Sequence, residues 1–433
     1  MSNSTAFLTD KYEITMLQAA LQSGMAHQRA TFDLFARKLP EGRRYGVVGG
    51  INRAIEAVKN FTFTDEQLAL LASDPVILPE TVEYLRNYKF TGKIVGYREG
   101  ELYFPNSPIL TVEGNFGDSV LLETVLLSIL NHDSAVMGAA SRMVVAADGL
   151  PLIEMGSRRT HEAAAVDSSR AAYIAGFDAT SNMEAGLRYG VPTTGTSAHA
   201  FTLAFADEKE AFRAQVSALG VSTTLLVDTY DIPQGIRNAI EVAGTNLGGI
   251  RIDSGDLHEE TLNARKLLDE LGATKTKIVL SSDIDEYTIS ELLERGTPVD
   301  GVGAGTRVVT GSGHPTASMV FKLVEREDEN GNMIPVAKKA SGKGSFGGRK
   351  FAYRGYNTAG TITREFFTAN EIADDEIRYG FIVPLQMTYV ENGIYTTHTV
   401  EEARLFHKQA LRTLPADAKR TLAGEAAFRA ELL

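Results

Sequence analysis

Between residues 151 and 309 the chain repeats one pattern: a short apolar run that ends on polar residues, then a longer amphipathic stretch. "LPLIEMGSRR" leads to a helical stretch at 168–176, "STTLLVDTYD" to "PQGIRNAIEVA", and "GGIRIDSGD" to "LHEETLNARKLLDEL". "TKIVLSSDID" leads to "EYTISELLERG", and "PVDGVGAGT" closes the series. Short buried strands that alternate with amphipathic helices pair in parallel, because each helical crossover returns the chain to the same end of the sheet. The polar residues Arg158, Asp228, Asp253, Asp283 and Gly303 then all fall where a strand gives way to its loop. Both (β/α) barrels and doubly wound open sheets build ligand sites at that rim. The number of consecutive units favours the α/β barrel.

The flanks have another character. Residues 12–22, 51–59 and 118–147 have helical spacing, whereas 93–116 breaks into short β-rich runs punctuated by Gly, Asn and Pro. Beyond about residue 320 the β-rich character returns, with a hairpin of polar tip over 318–340 and helical stretches at 399–412 and 416–432. The simplest organisation is a barrel at 117–320 flanked by segments 1–116 and 321–433, which join into one α+β domain.

Composition narrows the function classes. The chain has 433 residues, 43% of them apolar, enough for a large core and two or three domains. Its formal charge of −12 argues against a general nucleic-acid or anionic-membrane surface. An anionic substrate must instead meet a local cluster of Arg, Lys and backbone N–H groups. Cysteine is absent, so thiolate metal sites, disulfides and Cys nucleophiles are excluded, and a reducing compartment suits the chain. "MSNSTAFLTDKYEI" lacks the basic and apolar regions of a signal peptide. "SVLLETVLLSIL" is too short to span a bilayer and carries Glu123. A cytoplasmic location is expected.

Several motifs carry chemistry. In "GIRIDSGDL" a strand places Arg251 and Asp253 on one face, and Ser254, Gly255 and Asp256 follow in a tight polar loop. Arginine grips phosphate or carboxylate with a paired fork, and aspartate accepts from sugar hydroxyls. The competing reading is that Asp253 or Ser254 caps the next helix. "DGVGAGTRVVT" sets Gly303, Gly305 and Thr306 after an apolar strand, where glycine admits a phosphate to backbone N–H groups or simply makes a turn. "VDTYD" and "SSDID" supply carboxylates that orient an imidazole, hold Mg²⁺ through substrate phosphates, or cap helices. Arg158 and Arg159 are adjacent cations in a loop. His199 lies in "GVPTTGTSAHAF", among small residues, where a histidine is either a structural hydrogen-bonding group or a reactive one.

"LTDKYEITM", "GSRRTHEAAAVDSSRAAYIAGFDATSN", "GVPTTGTSAHAF", "LVDTYD", "GIRIDSGDL" and "VDGVGAGTRVVT" occur in this order, and together they resemble nicotinate phosphoribosyltransferases over about residues 8–355. The resemblance implies an irregular α/β barrel with an α+β domain built from both ends of the chain. It implies transfer of phosphoribose from 5-phosphoribosyl 1-diphosphate to nicotinate, releasing pyrophosphate, with Mg²⁺ on the substrate phosphates and ATP hydrolysis coupled to the reaction. His199 matches the family's transiently phosphorylated histidine, and Asp228 is the candidate to orient it. Arg251 matches an arginine near base and ribose, Asp253 an acid near the ribose hydroxyls, and Arg158 an arginine of the base and diphosphate pocket. Gly303, Gly305 and Thr306 match the 5′-phosphate loop, and Ser254 and Gly255 belong to the ribose motif. Tyr12 matches an aromatic that stacks on the pyridine from a neighbouring subunit, which implies a homodimer with shared sites.

One departure bears on substrate choice. A related nicotinamide enzyme has an aspartate where this chain aligns Ser181, beside Thr180. A hydroxyl donates to a carboxylate, and an aspartate repels it. The alternatives are a nicotinamide or quinolinate phosphoribosyltransferase, or a non-catalytic barrel that binds a phosphorylated metabolite. The glycine-rich run 340–351 is either a lid or an ordinary hairpin loop.

Overall fold

The computed structural model describes residues 4–338, 346–373, 377 and 381–433. The chain divides into two compact units, one of residues 136–315 and one that joins 1–135 to 316–433. Residues 340–345 of the glycine-rich run lie outside the described residues.

In the 136–315 unit, six short strands form a curled, all-parallel half-barrel. Their order is Ala179–Thr180, Leu152–Glu154, Gly301–Ala304, Lys277–Ser282, Gly249–Ile252 and Thr224–Leu226. Arg251 stands opposite Val279, and Ser281 opposite Gly303. The two-residue period then puts Arg251, Ser281 and Gly303 on one face. Ile250, Ile252, Ile278, Leu280, Val302 and Ala304 take the other face, and all six are buried.

The crossover helices Ile232–Ala243, Leu257–Glu270 and Glu286–Glu294 share a start signal. Asp231 accepts from the Gln234 N–H, Asp256 from His258 and Glu259, and Asp285 from Tyr287 and Thr288. Each satisfies amides that a helix leaves unpaired in its first turn. The helix expected at 168–176 is longer, Glu162–Ala175. Three further helices not anticipated from the sequence, Met183–Tyr189, His199–Leu203 and Glu208–Leu219, fill the interval before Thr224.

The other unit is built on a seven-stranded antiparallel sheet. Arg29–Ala36 pairs with Met319–Glu327, and Lys93–Tyr97 with Gln386–Glu391, so three adjacent strands from residues 1–135 are flanked on each side by two from 316–433. Phe32 stacks on Phe321 across that junction at 4.9 Å between ring centres. Arg354 is fully buried between Glu101 and Glu365, and the Tyr97 hydroxyl donates to Glu365 at 2.9 Å.

Two expectations are corrected here. The unit boundary lies at 135/136 rather than 116/117. The first half of the helix Glu123–Ala147 packs Val125, Leu126 and Leu130 into the core of the flanking unit. This helix runs well beyond the apolar run seen in the sequence. The helical stretch Phe116–Ala147 that contains it is long and apolar enough to cross a membrane, and 61% of the most apolar window there is buried inside the protein.

The segment 416–432 is not helical. It is a series of turns that ends in the strand Ala430–Leu432, parallel to Ile362–Thr368. The Ala427 N–H donates to the Arg44 carbonyl at 2.8 Å and that of Ala430 to Pro105 at 2.9 Å. Bonds to distant segments thus override the helical preference of an alanine-rich stretch.

Candidate active site

A cavity of about 630 Å³ opens among the strand-end loops of the half-barrel. That volume suits a small-molecule site. Arg158, Arg159 and Arg251 face it together with Asp253 and Asp283. Gly303, Gly305, Thr306, Ser181 and the loop 194–198 complete most of the wall. Three guanidinium groups against two carboxylates make the local charge opposite in sign to that of the whole chain.

The paired acids of the strand-end loops divide their work. Asp231, Asp256 and Asp285 cap helices, which frees Asp228, Asp253 and Asp283 for other contacts. The capping reading of Asp253 and Ser254 is thereby removed. The Asp228 side chain is 1% exposed, and its Oδ1 lies 2.9 Å from His199 Nε2. Its Oδ2 accepts from the Asp253 N–H at 2.9 Å and the Ser254 hydroxyl at 2.8 Å. One buried carboxylate thus joins the histidine loop to the Arg251–Asp253 strand end. Because Nε2 faces a carboxylate it carries the ring proton, which leaves the Nδ1 lone pair free.

His199 begins the short helix His199–Leu203, with its side chain 41% exposed. It adjoins the cavity wall through Ala198. Arg251 secures the same loop: Nη1 donates to the Thr196 hydroxyl and Nη2 to the Ser197 carbonyl, both at 3.0 Å. Burial lowers its pKa from the ordinary arginine value, Asp253 and Asp228 oppose that shift, and Arg158 adds to it.

Ser181 reaches the wall, but Thr180 does not. Thr180 is fully buried, and its hydroxyl donates to Glu154 at 2.5 Å, so it is withdrawn as a substrate contact. Asn182 caps the helix Met183–Tyr189. Ser254 and Gly255 also lie off the wall: Ser254 is bound to Asp228, and Gly255 turns the chain at φ +84°.

Tyr12 belongs to the other unit and is not among the lining residues. It is half exposed on the helix Lys11–Ser23, and its hydroxyl pKa is pushed up to about 12 by burial and then by Glu123 and Glu13. Wall residues that the sequence reading missed include Met155, Ser157, Ser281 and Ser282. Their one signal is position at a strand end. Met155 also explains a glycine, since a Cβ on Gly303 would stand 2.6 Å from its sulfur. Among the described residues no cluster of three or more His, Asp or Glu could hold a metal unaided.

Comparison with known proteins agrees with this geometry. Residues 7–131 match the family model described as the nicotinate phosphoribosyltransferase N-terminal domain. The nicotinate phosphoribosyltransferase pncB1 of Mycobacterium tuberculosis is 52% identical over 97% of this chain and 94% of its own length. That of Bacillus subtilis is 40% identical over 81% of this chain and 73% of its own length. The human nicotinic acid phosphoribosyltransferase structure superposes with a TM-score of 0.83 at 25% identity, over 98% of this chain and 97% of that one. A sequence that carries these motifs in order, and is alike over nearly its full length, belongs to the nicotinate phosphoribosyltransferase family.

Proposed function

We propose that the protein forms nicotinate mononucleotide and pyrophosphate from nicotinate and 5-phosphoribosyl 1-diphosphate, a step of NAD biosynthesis from nicotinate. The observation that carries this reading is the cavity faced by Arg158, Arg159 and Arg251 at the strand ends of a family member. Both substrates are anions, and the wall offers cations where the rest of the chain is acidic. The pyridine nitrogen donates its lone pair to C1 of the ribose, and the C1–O bond breaks with its electrons leaving on pyrophosphate. Arg158 and Arg159 hold the diphosphate, Gly303, Gly305 and Thr306 hold the 5′-phosphate, and Asp253 accepts from the ribose hydroxyls. Arg251 orders the loop 194–198 and flanks the base, and Ser181 donates to the nicotinate carboxylate. Catalysis is then chiefly positioning and fixed charge. Mg²⁺ suits the site as a cation carried by the substrate, because Asp253 and Asp283 supply only two carboxylates. Bound there, it would offset diphosphate charge.

ATP coupling through His199 is part of the same proposal. Nδ1 attacks the γ-phosphorus of ATP, the bond to the bridging oxygen breaks, and ADP leaves, while Asp228 holds the Nε2 proton. Support comes from the buried orienting carboxylate and the open loop around His199. We also propose a cytoplasmic homodimer in which Tyr12 of each chain stacks on the base in the other chain's site.

The deciding assay supplies nicotinate, nicotinamide or quinolinate with phosphoribosyl diphosphate, with and without ATP, and follows pyrophosphate. Release with nicotinate, raised by ATP, is the expected result. A preference for nicotinamide or quinolinate reassigns the substrate. Binding of phosphoribosyl diphosphate without turnover of any base makes the barrel a sensor.

A further inference from the structure

Glu154 ends the strand Leu152–Glu154 and has no part in the chemistry above. It is 1% exposed, and among the described residues every donor to its side chain is neutral. Oε1 accepts from the Gly156 N–H. Oε2 accepts from the Ser169 hydroxyl at 2.8 Å and the Thr180 hydroxyl at 2.5 Å. Its own backbone carbonyl accepts from the Ser181 N–H at 2.8 Å. A buried carboxylate without a cationic partner is unfavourable unless hydrogen bonds compensate it, so an apolar residue would be the simpler filler.

The segments it joins are those the cavity needs. The Gly156 bond fixes the turn 156–159, which Arg159 closes by donating its N–H to the Gly156 carbonyl at 2.8 Å. That turn carries Arg158 and Arg159 to the wall. Gly156 leaves no room for a side chain, since a Cβ there would stand 2.3 Å from Val309 Cγ1 and 2.8 Å from Glu154 Oε1. Thr180 passes the constraint on. Its N–H donates to the Pro192 carbonyl and its carbonyl accepts from the Thr194 N–H, both at 2.9 Å, at the root of the loop that leads to His199.

We propose that Glu154 is a positioning residue for phosphoribosyl transfer, a single buried carboxylate that holds the Arg158–Arg159 turn, Ser181 and the root of the His199 loop in one arrangement. The inference rests on the function proposed above. Its test uses the full chain as wild type and as the variants Glu154→Ala, Glu154→Gln and Thr180→Val. Wild-type turnover of nicotinate tests that function separately. For each variant the melting temperature, the KM for phosphoribosyl diphosphate, kcat per folded molecule and the affinity for inorganic pyrophosphate by calorimetry are measured well below its melting point.

Glu154→Ala and Thr180→Val should raise KM and weaken pyrophosphate binding on the order of tenfold or more, the scale of a small misplacement of binding groups. Glu154→Gln should keep most of both, because its amide oxygen still accepts from Gly156 and its amide nitrogen donates to the two hydroxyls. Unchanged KM and pyrophosphate affinity in folded Glu154→Ala or Thr180→Val would reduce Glu154 to a packing role and overturn the inference. A Glu154→Gln as impaired as Glu154→Ala would also overturn it, by making charge rather than geometry the requirement. If Glu154→Ala does not fold, Thr180→Val, which removes the bond to Glu154 at nearly constant volume together with the hydroxyl's bonds to Ser169 and the Asn182 N–H, decides alone.

Discussion

His199 shows how one side chain acquires a role from its partner. Histidine among small residues is ambiguous, but a histidine whose Nε2 faces a carboxylate 1% exposed has one ring nitrogen committed and one free. His199→Ala should fold, retain the wild-type melting temperature within about 1 °C given its exposed setting, and lose the acid-labile phosphate that ATP and Mg²⁺ deposit on the wild type. Radiolabel that persists in this variant would assign the phosphate elsewhere. Ser181 is a sharper case, because Thr180 stood beside it in the sequence as a second candidate. Thr180 turns inward to Glu154 and Asn182 caps a helix, so Ser181 is the residue of the three on the wall. Ser181→Asp should depress kcat/KM for nicotinate and shift preference toward nicotinamide, since a new anion would face the substrate carboxylate. Equal loss with both substrates in competition assays would remove the specificity role.

At the scale of elements, the strand-end loops pair an acid for the site with an acid for the helix. The caps should matter for stability and little for catalysis. Asp256→Ala or Asp285→Ala should each lower stability by about 1 kcal/mol in thermal melts, with KM nearly unchanged. Asp253→Asn should do the reverse, and parallel losses in all three variants would count against the division.

The helix Val400–Arg412 makes a different prediction. Its buried His407 lies with Nδ1 2.8 Å from the Gly100 carbonyl, and burial lowers its pKa from 6.5 to about 4. The unfolded chain therefore binds the proton first. This contribution to stability is complete above about pH 6.5 and is lost as pH falls toward 4, to a limit of about 3 kcal/mol. His407→Gln should flatten the fall in melting temperature between pH 6.5 and pH 4 relative to wild type. An equally steep fall in both proteins would place the acid sensitivity in other groups.

For the whole molecule, the decisive prediction concerns shared sites. Tyr12 lies in the unit made from both chain ends, whereas every cation of the cavity lies in the 136–315 unit. If Tyr12 serves the partner's site, Tyr12→Ala and His199→Ala should each be inactive and complement each other after subunit exchange. Random mixing leaves about half the molecules as heterodimers, each with one intact site, so recovery approaches roughly one quarter of wild type. No recovery despite verified exchange, or a fully active monomer, would place Tyr12 in its own chain's site or outside the chemistry.

The barrel rhythm, the strand ends and the charged residues that face the cavity were legible in the sequence, because strand period, helix start signals and loop composition act over a few residues. Arg251, Asp253 and Gly303 could be put at a strand end without coordinates for that reason. Only the tertiary structure decided which aspartate of each pair caps a helix, that Thr180 turns inward while Ser181 faces the cavity, and that Asp228 reaches both His199 and Ser254. It alone decided that 416–432 is drawn out of helix into turns and a strand, and that the unit boundary falls within Glu123–Ala147. Apart from the helix caps, each of these depends on a partner tens or hundreds of residues away, such as Thr180, 26 positions from Glu154, or Asp228, 29 from His199. No local pattern records such a partner, because burial and hydrogen-bond satisfaction are settled only when distant segments meet.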